Sequence, residues 1–571
     1  MKQQPHDNVL TIMSGGAAGD GVRAIGSNLV KFIIESGYEA FASVDYPSLI
    51  RGGHNFSRMT FSNEKVFNDY SQIDVLIAFN EETIQIHLEE LREGALILAD
   101  KFTEEEKQAF GDRAIEIPMS KYAKESGAPP IARSSVALGA LCFILDLSLE
   151  KLEEMLRVVF KNKKEDINVE LARLGYEYVK EKGIKHERNF EPMPDVKDTL
   201  NASDTFSLGM VKAGLDFFIS YPMTPSTPIL HYLAARQKEL GVKVIHPESE
   251  LSVINMALGV AYAGKRSAIG TAGGGFALMH EPFSFAGIGE IPLLVAVVMR
   301  QAPASGVPTY TSQADLLFTV FAGHGEFTKI VILPGDAEEA YLAGAHGLNL
   351  AWKYQIPVVS LTDKHIAESV MSGRLDTEAV GMLPEKRAEN TDENYGRYQF
   401  TEDGISPMAY PGAPNTAVKV SSYEHDEKGI AIEDADMTVR MQDKRFLKVN
   451  EIKKEFSELE TIKMYGDLES KKVIVFWGST KGAVLEAAKY LDKPVKLMQI
   501  VWAQPMNVDV VTKHLRDAEV IIDVEGNHDA QMAQLIRKNT GIEITDRVLQ
   551  YDARAFDPID LASKLNELLN K

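Results

Sequence analysis

The most constraining feature of this sequence is a repeated alternation of short apolar runs with longer helical patterns. Strand-like runs occur as VLTIM, IDVLIAFN and ALILAD, then as SAIGT, PLLVAVVM and PVVSLTD, and finally as KVIVFWGS, VKLMQI and AEVIIDVEGN. Turn residues bound these runs, and amphipathic segments lie between them. Such alternation favours parallel sheets that helices cover on both faces. We therefore predict an α/β protein.

Breaks in this pattern divide the 571 residues into four segments. The segment 1–190 ends in a charged, proline-containing stretch, and the segment 195–372 resumes the alternation. The stretch 373–465 is polar and rich in Glu, Asp, Asn, Pro and Gly, which favours a long irregular connector with a few short strands. The segment 466–571 is again α/β. We predict three α/β domains, with the connector before the last.

Charge and composition exclude several classes of partner. The chain has 61 Lys and Arg against 82 Asp and Glu, a net charge of −21 that repels phosphate backbones, so we expect no nucleic acid. Its longest apolar run, Ile291 to Met299, is far shorter than the roughly 20 residues of a membrane span. The N-terminus has no apolar signal core. The one cysteine, Cys142, is predicted to be a buried apolar side chain. We expect a cytoplasmic protein without a membrane segment.

A glycine-rich turn, SGGAAGDG, follows the first strand. Glycines between a strand and a helix permit tight turns and expose N–H groups to an anion. The spacing of Gly16, Gly19 and Gly21 differs from the dinucleotide fingerprint, and only Asp45 lies loosely where an acidic partner is required. A structural turn is favoured, and a nucleotide-binding oxidoreductase remains an alternative.

Residues 221–228, YPMTPSTP, place three prolines and several hydroxyls between an apolar strand and a helical pattern. Prolines this dense cannot continue a strand or lie inside a helix, so we predict a rigid turn. Such a turn can present hydroxyls to a small ligand without relying on a flexible loop.

The segment 247–264, PESELSVINMALGVAYAG, has the apolar spacing of a helix. Its small residues allow another backbone to approach closely. Glu250 falls in the first turn, where an acidic side chain also stabilises the helix N-terminus. Position alone therefore leaves both a structural and a functional interpretation of Glu250 open.

The stretch GGGFALMHEPFSFAGIGEIPLLVAVVMRQAPASGVPTYTSQADL, together with YPMTPSTP, resembles the alpha subunit of 2-oxoacid:ferredoxin oxidoreductases. SVDYPSLIRGG, which contains Arg51-Gly52-Gly53, is similar to the gamma domain of that family, here fused ahead of the alpha part. Glu525-Gly526-Asn527 and Gln531-Met532-Ala533-Gln534 are similar to its last domain. The resemblance implies a Rossmann-like gamma domain, a pyrimidine-type thiamine-diphosphate-binding domain and a transketolase C-terminal-like domain.

The resemblance implies that Glu250 is catalytic. In thiamine-diphosphate enzymes the glutamate of this helix hydrogen-bonds a ring nitrogen of the cofactor's aminopyrimidine and promotes deprotonation of the thiazolium ring, while the cofactor supplies the electron sink. Pro222 and Met223, in the proline-rich turn, are expected to contact the cofactor as well.

The resemblance also implies the substrate contacts. Thr224 and Ser226 are expected to bind the 2-oxo acid, and Arg300 its carboxylate or a later coenzyme A group, because a guanidinium offers two parallel donors. After Arg300 the chain has Gln-Ala-Pro-Ala-Ser-Gly, where the family often has Gly-Gly-Pro-Ser-Thr-Gly.

Half of a thiamine-diphosphate site is missing from the sequence. The family's metal motif is Gly-Asp-Gly with a downstream Asn, whereas Gly19-Asp20-Gly21 opens the first domain and lacks that context. The resemblance therefore implies a beta subunit that brings Mg²⁺, the diphosphate-binding half and a [4Fe-4S] cluster, in an α2β2 heterotetramer. We expect no metal in this chain, and we expect ferredoxin as the electron partner.

The activity implied is coenzyme A-dependent oxidative decarboxylation of 2-oxoglutarate to succinyl-CoA, or the reverse carboxylation. The fusion of gamma and alpha parts with this turn is most similar to the 2-oxoglutarate members. Pyruvate or a broad range of 2-oxo acids remains an alternative. A non-catalytic assembly subunit is a second alternative.

Overall fold

The computed structural model describes residues 8–48, 53–161, 165–187, 190–389 and 391–571, so Arg51 and Gly52 of the Arg-Gly-Gly motif lie outside the described residues. Strands and helices alternate as the sequence predicts. The N-terminal unit contains β1 (Leu10–Ala17), α1 (Val22–Glu35), β2 (Glu39–Asp45), β3 (His54–Ser62), β4 (Ile73–Ala78), α2 (Glu81–Ile86), β5 (Leu91–Ala99), α3 (Glu104–Phe110), β6 (Ala114–Glu116), α4 (Met119–Glu125), α5 (Arg133–Ile144), α6 (Leu149–Val159) and α7 (Glu165–Glu181).

The middle unit carries the residues that the sequence singles out for chemistry. It contains β7 (Asp198–Asn201), α8 (Ala202–Lys212), β8 (Phe217–Ile219), α9 (Thr227–Leu240), β9 (Lys243–Ile245), α10 (Glu250–Tyr262), β10 (Ser267–Thr271), α11 (Gly273–Leu278), α12 (His280–Ile288), β11 (Leu293–Met299), α13 (Leu316–Val320), β12 (Ile330–Ile332), α14 (Ala337–Tyr354), β13 (Pro357–Asp363), α15 (Lys364–Glu368) and β14 (Val370–Gly373).

The C-terminal unit follows an irregular stretch. It contains α16 (Ala435–Lys454), β15 (Ile462–Gly466), β16 (Lys472–Trp477), α17 (Thr480–Ala488), β17 (Lys496–Ile500), β18 (Trp502–Gln504), α18 (Val508–Leu515), β19 (Val520–Glu525), α19 (Gln531–Thr540), β20 (Asp546–Leu549) and α20 (Pro558–Leu569).

The first sheet has eight strands in the order β6-β5-β4-β1-β3-β2-β14-β7. Strands β1, β4, β5 and β6 are parallel neighbours, as expected. Strand β3 instead pairs antiparallel with both β1 and β2. Strands β7 and β14, from the two ends of the middle unit, continue this sheet antiparallel. The predicted boundary at 190–195 therefore divides the sequence but not the sheet.

The second sheet has seven strands in the order β18-β12-β13-β11-β10-β8-β9. Its pairs are parallel except for β18, which comes from the C-terminal unit and lies antiparallel to β12. β11 is buried along its whole length, as a central strand covered on both faces should be. The carboxyl ends of β8, β9, β10 and β11 meet at one edge of this sheet, where parallel sheets place their ligands.

The third sheet has the order β15-β17-β16-β19-β20, with only β15 antiparallel. The segment 373–465 differs from the predicted irregular connector from residue 435 onwards, where α16 begins. Isolated bridges join Arg387 to Met408 and His425 to Ala431, but the 20-residue helix α16 closes the segment. Among the described residues, no helix is long and apolar enough to cross a membrane. Cys142 is fully buried in α5, as predicted.

Candidate functional site

The predicted site residues lie at the carboxyl edge of the second sheet. Thr224 follows β8, Glu250 follows β9 and Arg300 follows β11. Between them, β10 ends in the three glycines Gly273–Gly275, which open α11. Four successive connections thus bring together side chains that are distant in the sequence.

The proline-rich turn is closed from within by Ser226. The side chain of Ser226 is fully buried, and its hydroxyl donates to the carbonyl of Met223 at 2.8 Å. The N–H of Ser226 donates to the same carbonyl at 2.9 Å. Tyr221 and Pro222 are exposed, whereas Met223 and Thr224 are half-buried. Ser226 therefore holds the turn, while its contact with a substrate stays a prediction.

Arg300 is tied to this turn. Its guanidinium donates through Nη1 to the carbonyl of Thr224 at 2.8 Å. Burial lowers the pKa of Arg300, and the nearby carboxyl of Asp315 opposes that effect; an arginine nevertheless stays protonated in proteins. The site therefore holds a fixed cation beside Thr224, an arrangement that can bind a carboxylate.

Glu250 is the first residue of α10, and only 5% of it is exposed. Its Oε1 atom is buried and has no hydrogen-bond partner among the described residues. A buried carboxyl oxygen without a donor is costly, because it loses its hydration without compensation. The side chain is therefore poised to bond a group that the chain itself does not supply.

The glycine turn of α11 accommodates this carboxyl. A Cβ on Gly275 would lie 2.8 Å from Cγ and 2.9 Å from Oε1 of Glu250, and 2.2 Å from Oγ1 of Thr271. Any larger residue would displace the carboxyl. Glycine is required at position 275 because neighbouring side chains approach its backbone closely, and not because its backbone dihedral angles exclude other residues.

A second carboxyl, that of Asp315 in the loop before α13, lies against the same turn and was not predicted from the sequence. Its Oδ2 atom is 2.2 Å from the place that a Cβ on Gly273 would occupy. Burial raises the pKa of Asp315 to about 6, with Arg300 acting in the opposite direction. In the sequence its only signal is its place in the quoted stretch that also contains Arg300.

The N-terminal unit reaches the loop that follows Arg300. The hydroxyl of Thr309 donates to the carbonyl of Tyr46 at 2.5 Å, and the hydroxyl of Tyr46 donates to Glu368 at 2.7 Å. The guanidinium of Arg23 lies 3.9 Å from the centre of the Tyr46 ring. This unit therefore helps to fix one wall of the site.

The polar groups of the glycine-rich turn in the N-terminal unit are bonded to other residues of the same unit. Asp20 accepts from the N–H of Ala17 at 2.8 Å and pairs with Arg133 at 2.7 Å. Asp45, the loosely placed acidic residue, pairs with Lys364 at 2.8 Å. Among the described residues, no group of three His, Cys, Asp or Glu side chains could hold a metal ion. These contacts support a structural turn.

Comparison with known proteins defines the class first. Residues 208–444 match the family model described as "Pyruvate flavodoxin/ferredoxin oxidoreductase, thiamine diP-bdg". Residues 11–178 match the model described as "Pyruvate ferredoxin/flavodoxin oxidoreductase". The middle unit thus has a thiamine-diphosphate-binding fold, in agreement with the buried carboxyl at the start of α10.

Whole-chain relatives then define the family. The 2-oxoacid:ferredoxin oxidoreductase subunit alpha of Saccharolobus solfataricus is 32% identical over 95% of this chain and 95% of the relative. The 2-oxoglutarate oxidoreductase subunit KorA of Mycobacterium tuberculosis is 26% identical, over 85% of this chain and 80% of that protein.

A solved structure is also similar over its full length. The 2-oxoglutarate:ferredoxin oxidoreductase from Magnetococcus marinus, with 2-oxoglutarate, coenzyme A and succinyl-CoA bound, superposes with a TM-score of 0.89. It is 30% identical, and the match covers 98% of this chain and 100% of that one. The chain belongs to the family of 2-oxoacid:ferredoxin oxidoreductase alpha subunits, as the sequence motifs predict, and it is an oxidoreductase subunit.

Proposed function

We propose that this chain is the alpha subunit of a 2-oxoglutarate:ferredoxin oxidoreductase. The observation that carries the proposal is the buried, unpartnered Oε1 of Glu250 at the edge of the second sheet. The reaction joins 2-oxoglutarate, coenzyme A and two oxidised ferredoxins into succinyl-CoA, CO₂, a proton and two reduced ferredoxins. Preference for 2-oxoglutarate is supported by the Magnetococcus marinus structure and by the KorA relatives.

The residues fit thiamine diphosphate as far as this chain can hold it. Glu250 would form a hydrogen bond with a ring nitrogen of the aminopyrimidine, either accepting it or sharing a proton. The same carboxyl fills the space over Gly275. Pro222 and Met223 would form the neighbouring wall. The bound cofactor would supply a nucleophilic carbon and an electron sink. A beta subunit would hold the diphosphate, Mg²⁺ and a [4Fe-4S] cluster, in an α2β2 assembly that passes electrons to ferredoxin.

The side chains of this chain would orient the acid. Arg300 would bind the carboxylate next to the keto group, and Thr224 would donate its hydroxyl to the keto oxygen. Because the Arg300 guanidinium already bonds the backbone carbonyl of Thr224, the cation is held next to the residue that carries the hydroxyl. Such preorganisation lowers the entropic cost of reaching the reactive geometry.

The test is turnover by the complex of this chain with its partner subunit. Thiamine diphosphate, coenzyme A and a viologen dye are supplied, and 2-oxoglutarate, pyruvate and 2-oxoisovalerate are compared by kcat/KM. We expect 2-oxoglutarate to be preferred. Preference for pyruvate, or equal use of all three acids, would favour the alternative of a pyruvate or broad-range enzyme.

Glu250→Gln separates a catalytic subunit from an assembly subunit. The substitution keeps the shape but replaces the carboxyl by an amide, so we expect turnover to fall by at least about tenfold, typical of a lost acid–base group. Glu281→Gln, on the exposed first turn of α12, is the matched control. Unchanged turnover in Glu250→Gln would support the assembly role.

A further inference from the structure

Asp315 is an acidic side chain in the site for which the sequence motifs provide no role. It immediately precedes α13, and its carboxyl lies against Gly273, just as the carboxyl of Glu250 lies against Gly275. The two carboxyls therefore approach the same glycine turn at positions two residues apart. Unlike an ordinary helix cap, Asp315 makes no side-chain hydrogen bond to the start of α13.

The C-terminal unit fixes the backbone that carries Asp315. The N–H of Gln313 donates to the carbonyl of Gly526 at 2.8 Å, and the N–H of Gly526 donates to Oε1 of Gln313 at 2.7 Å. On the other side, the N–H of Leu317 donates to Oε1 of Gln531 at 2.9 Å. Contacts on both sides of Asp315 hold it in place, although its carboxyl accepts no hydrogen bond from the residues that the structure describes.

Sheet order places Asp315 close to Arg300. Strand β10 lies between β11 and β8, so the hydrogen bond from Arg300 to Thr224 joins the ends of two strands that flank the turn of β10. Asp315 belongs to the loop after β11, and its carboxyl lies against Gly273 of that turn. Each of the two charged groups acts on the other's pKa, and no direct ion pair joins them within the described part of the chain. The two side chains therefore interact electrostatically, without a direct hydrogen bond between them.

A negative charge beside a carboxylate-binding arginine weakens the binding of an anion, most strongly where burial reduces solvent screening. Because burial raises the pKa of Asp315 to about 6, its carboxyl changes charge just below neutral pH. A second carboxylate arriving at Arg300 would raise that pKa further, because like charges disfavour ionisation. Binding of the acid is then linked to protonation.

We propose that Asp315 sets the affinity of the substrate site, because its negative charge opposes binding of the 2-oxo acid carboxylate at Arg300 and is neutralised by proton uptake when the acid binds. This inference rests on the proposed function, since it requires an anionic substrate at Arg300. Affinity is highest where Asp315 is neutral, and it falls as the pH rises and Asp315 ionises.

Other charged groups face this region from the elements packed around it. They are Glu250 against Gly275 of the glycine turn, His280 stacked on Phe318 of α13, Lys538 over Phe321 at the end of α13, and Asp363, which accepts from the hydroxyl of Thr311. Burial lowers the pKa of His280, which keeps it neutral near pH 7. Since all of them remain in a variant of Asp315 alone, comparison with the wild type isolates the contribution of Asp315.

The experiment measures KM and kcat of the complex between pH 5.5 and 8, with the 2-oxo acid that it uses best. For the wild type we expect KM to rise with pH, by up to about tenfold per pH unit above pH 6, as expected for uptake of one proton. In Asp315→Asn we expect KM at pH 7.5 to be at least about threefold lower and independent of pH, with kcat within about twofold. Asp315→Glu, which keeps the charge, should retain the pH dependence.

Asp443→Asn, an exposed substitution on α16, is the control and should behave as the wild type. A wild-type KM that does not change with pH, or an Asp315→Asn KM equal to or above that of the wild type, overturns the inference while the proposed function stands. Absence of turnover with every 2-oxo acid overturns the proposed function, and the inference with it. Circular dichroism verifies folding, and Asp315→Glu keeps the test decisive if Asp315→Asn does not fold.

Discussion

At the scale of single residues, the site depends on two kinds of polar group. One kind lacks a hydrogen-bond partner among the described residues, and the other is held in position by a hydrogen bond. Glu250 presents a buried oxygen to which none of the described residues donates, whereas Arg300 is fixed by one hydrogen bond to the proline-rich turn. An unsatisfied acceptor and a fixed donor are the two requirements of a preorganised ligand site. Each can be changed by one substitution.

Replacing Arg300 by lysine tests the fixed cation. A lysine carries one ammonium, which cannot both hold the Thr224 carbonyl and bind a carboxylate through two parallel bonds. We expect KM for the 2-oxo acid to rise on the order of tenfold, about 1.4 kcal/mol, with a smaller change in kcat. Arg236→Lys, on the outer face of α9, is the control. An unaltered KM in Arg300→Lys would exclude Arg300 as the carboxylate ligand.

Replacing Gly275 by alanine tests the close approach of Glu250. The added methyl would lie 2.9 Å from Oε1 of Glu250 and must displace it. We expect binding of thiamine diphosphate, measured by calorimetry on the complex, to weaken at least about tenfold, because a carboxyl off its geometry by a fraction of an ångström loses its bond. Gly274→Ala is the matched control, since nothing lies within 4 Å of its Cβ position. Equal weakening in both variants would contradict the prediction.

The sequence predicts some of these residues better than others. Glu250, Thr224 and Arg300 stand in motifs that resemble a known family, and the structure brings them to one edge of a sheet. Asp315 and the role of Ser226 in closing the turn could not be predicted, because both depend on contacts between loops. Nothing in the local sequence shows that Asp315 lies against Gly273.

At the scale of helices and strands, α16 shows where pattern reading fails. The apolar stripe on which helix prediction relies is nearly absent from α16, because three of its five buried residues are Lys444, Arg445 and Lys448. The Lys444 ammonium bonds Glu290 at 2.6 Å, and Lys448 pairs with the same carboxylate at 2.6 Å. Buried ion pairs, and not apolar contacts, attach α16 to the middle unit. Because the side chains that make them are charged, the sequence of α16 looks like that of a polar connector.

The strands β10, β11, β13, β16, β17 and β19 were predicted, because short runs of β-branched and aliphatic residues are buried on both faces, whereas β15 and β20 of the C-terminal unit were not. The hairpin β2–β3 and the strands β7, β14 and β18 were missed. Their pairing partners lie in other units or run antiparallel, and local periodicity carries no information about such partners.

Glu290→Gln tests the buried attachment of α16. Burial alone would raise the pKa of Glu290, but Lys444, Lys448 and Arg397 outweigh it and hold the pKa far below its usual value. Removing the carboxylate leaves two ammonium groups buried without a counter-charge, so we expect a loss of about 3–5 kcal/mol in the free energy of unfolding. Urea denaturation measures it, with exposed Glu402→Gln as control. A loss below about 1 kcal/mol would refute the role.

The same carboxylate predicts an acid-sensitive fold. Because the pKa of Glu290 is depressed in the folded state, its contribution is complete above its ordinary pKa of about 4.5 and decreases as the pH falls below that value. We expect the stability difference between the wild type and Glu290→Gln to shrink below pH 4.5 in urea denaturation. A constant difference down to pH 3 would contradict this assignment.

At the scale of the whole molecule, the three units share strands and buried ion pairs. β7 and β14 extend the first sheet, and β18 extends the second. Lys481 of α17 pairs with Asp336 and Glu339 of the middle unit. The first and second sheets each contain strands from another unit, and the C-terminal unit is bound to the middle unit by β18 and by Lys481, so independent unfolding of the units is unfavourable.

Single-tryptophan variants test this cooperativity. Trp352 reports on α14 of the middle unit and Trp477 on β16 of the C-terminal unit, and both are buried. With the other tryptophans replaced by phenylalanine, we expect the two variants to unfold at the same urea concentration. Lys481→Met, which removes the ion pair of Asp336 and leaves Glu339 paired with Lys463 alone, should lower both midpoints together. Two separated transitions in one variant would refute the shared stability.

The arrangement of the site at the carboxyl edge of the second sheet has a consequence for the evolution of substrate specificity. Thr224, Glu250 and Arg300 come from three different connections, with Asp315 in the same connection as Arg300, while the strands beneath them are held by their own core. Substitutions in one connection can therefore alter which acid is accepted without disturbing the reactive helix or the scaffold. The range of acids used by related enzymes could diversify one loop at a time.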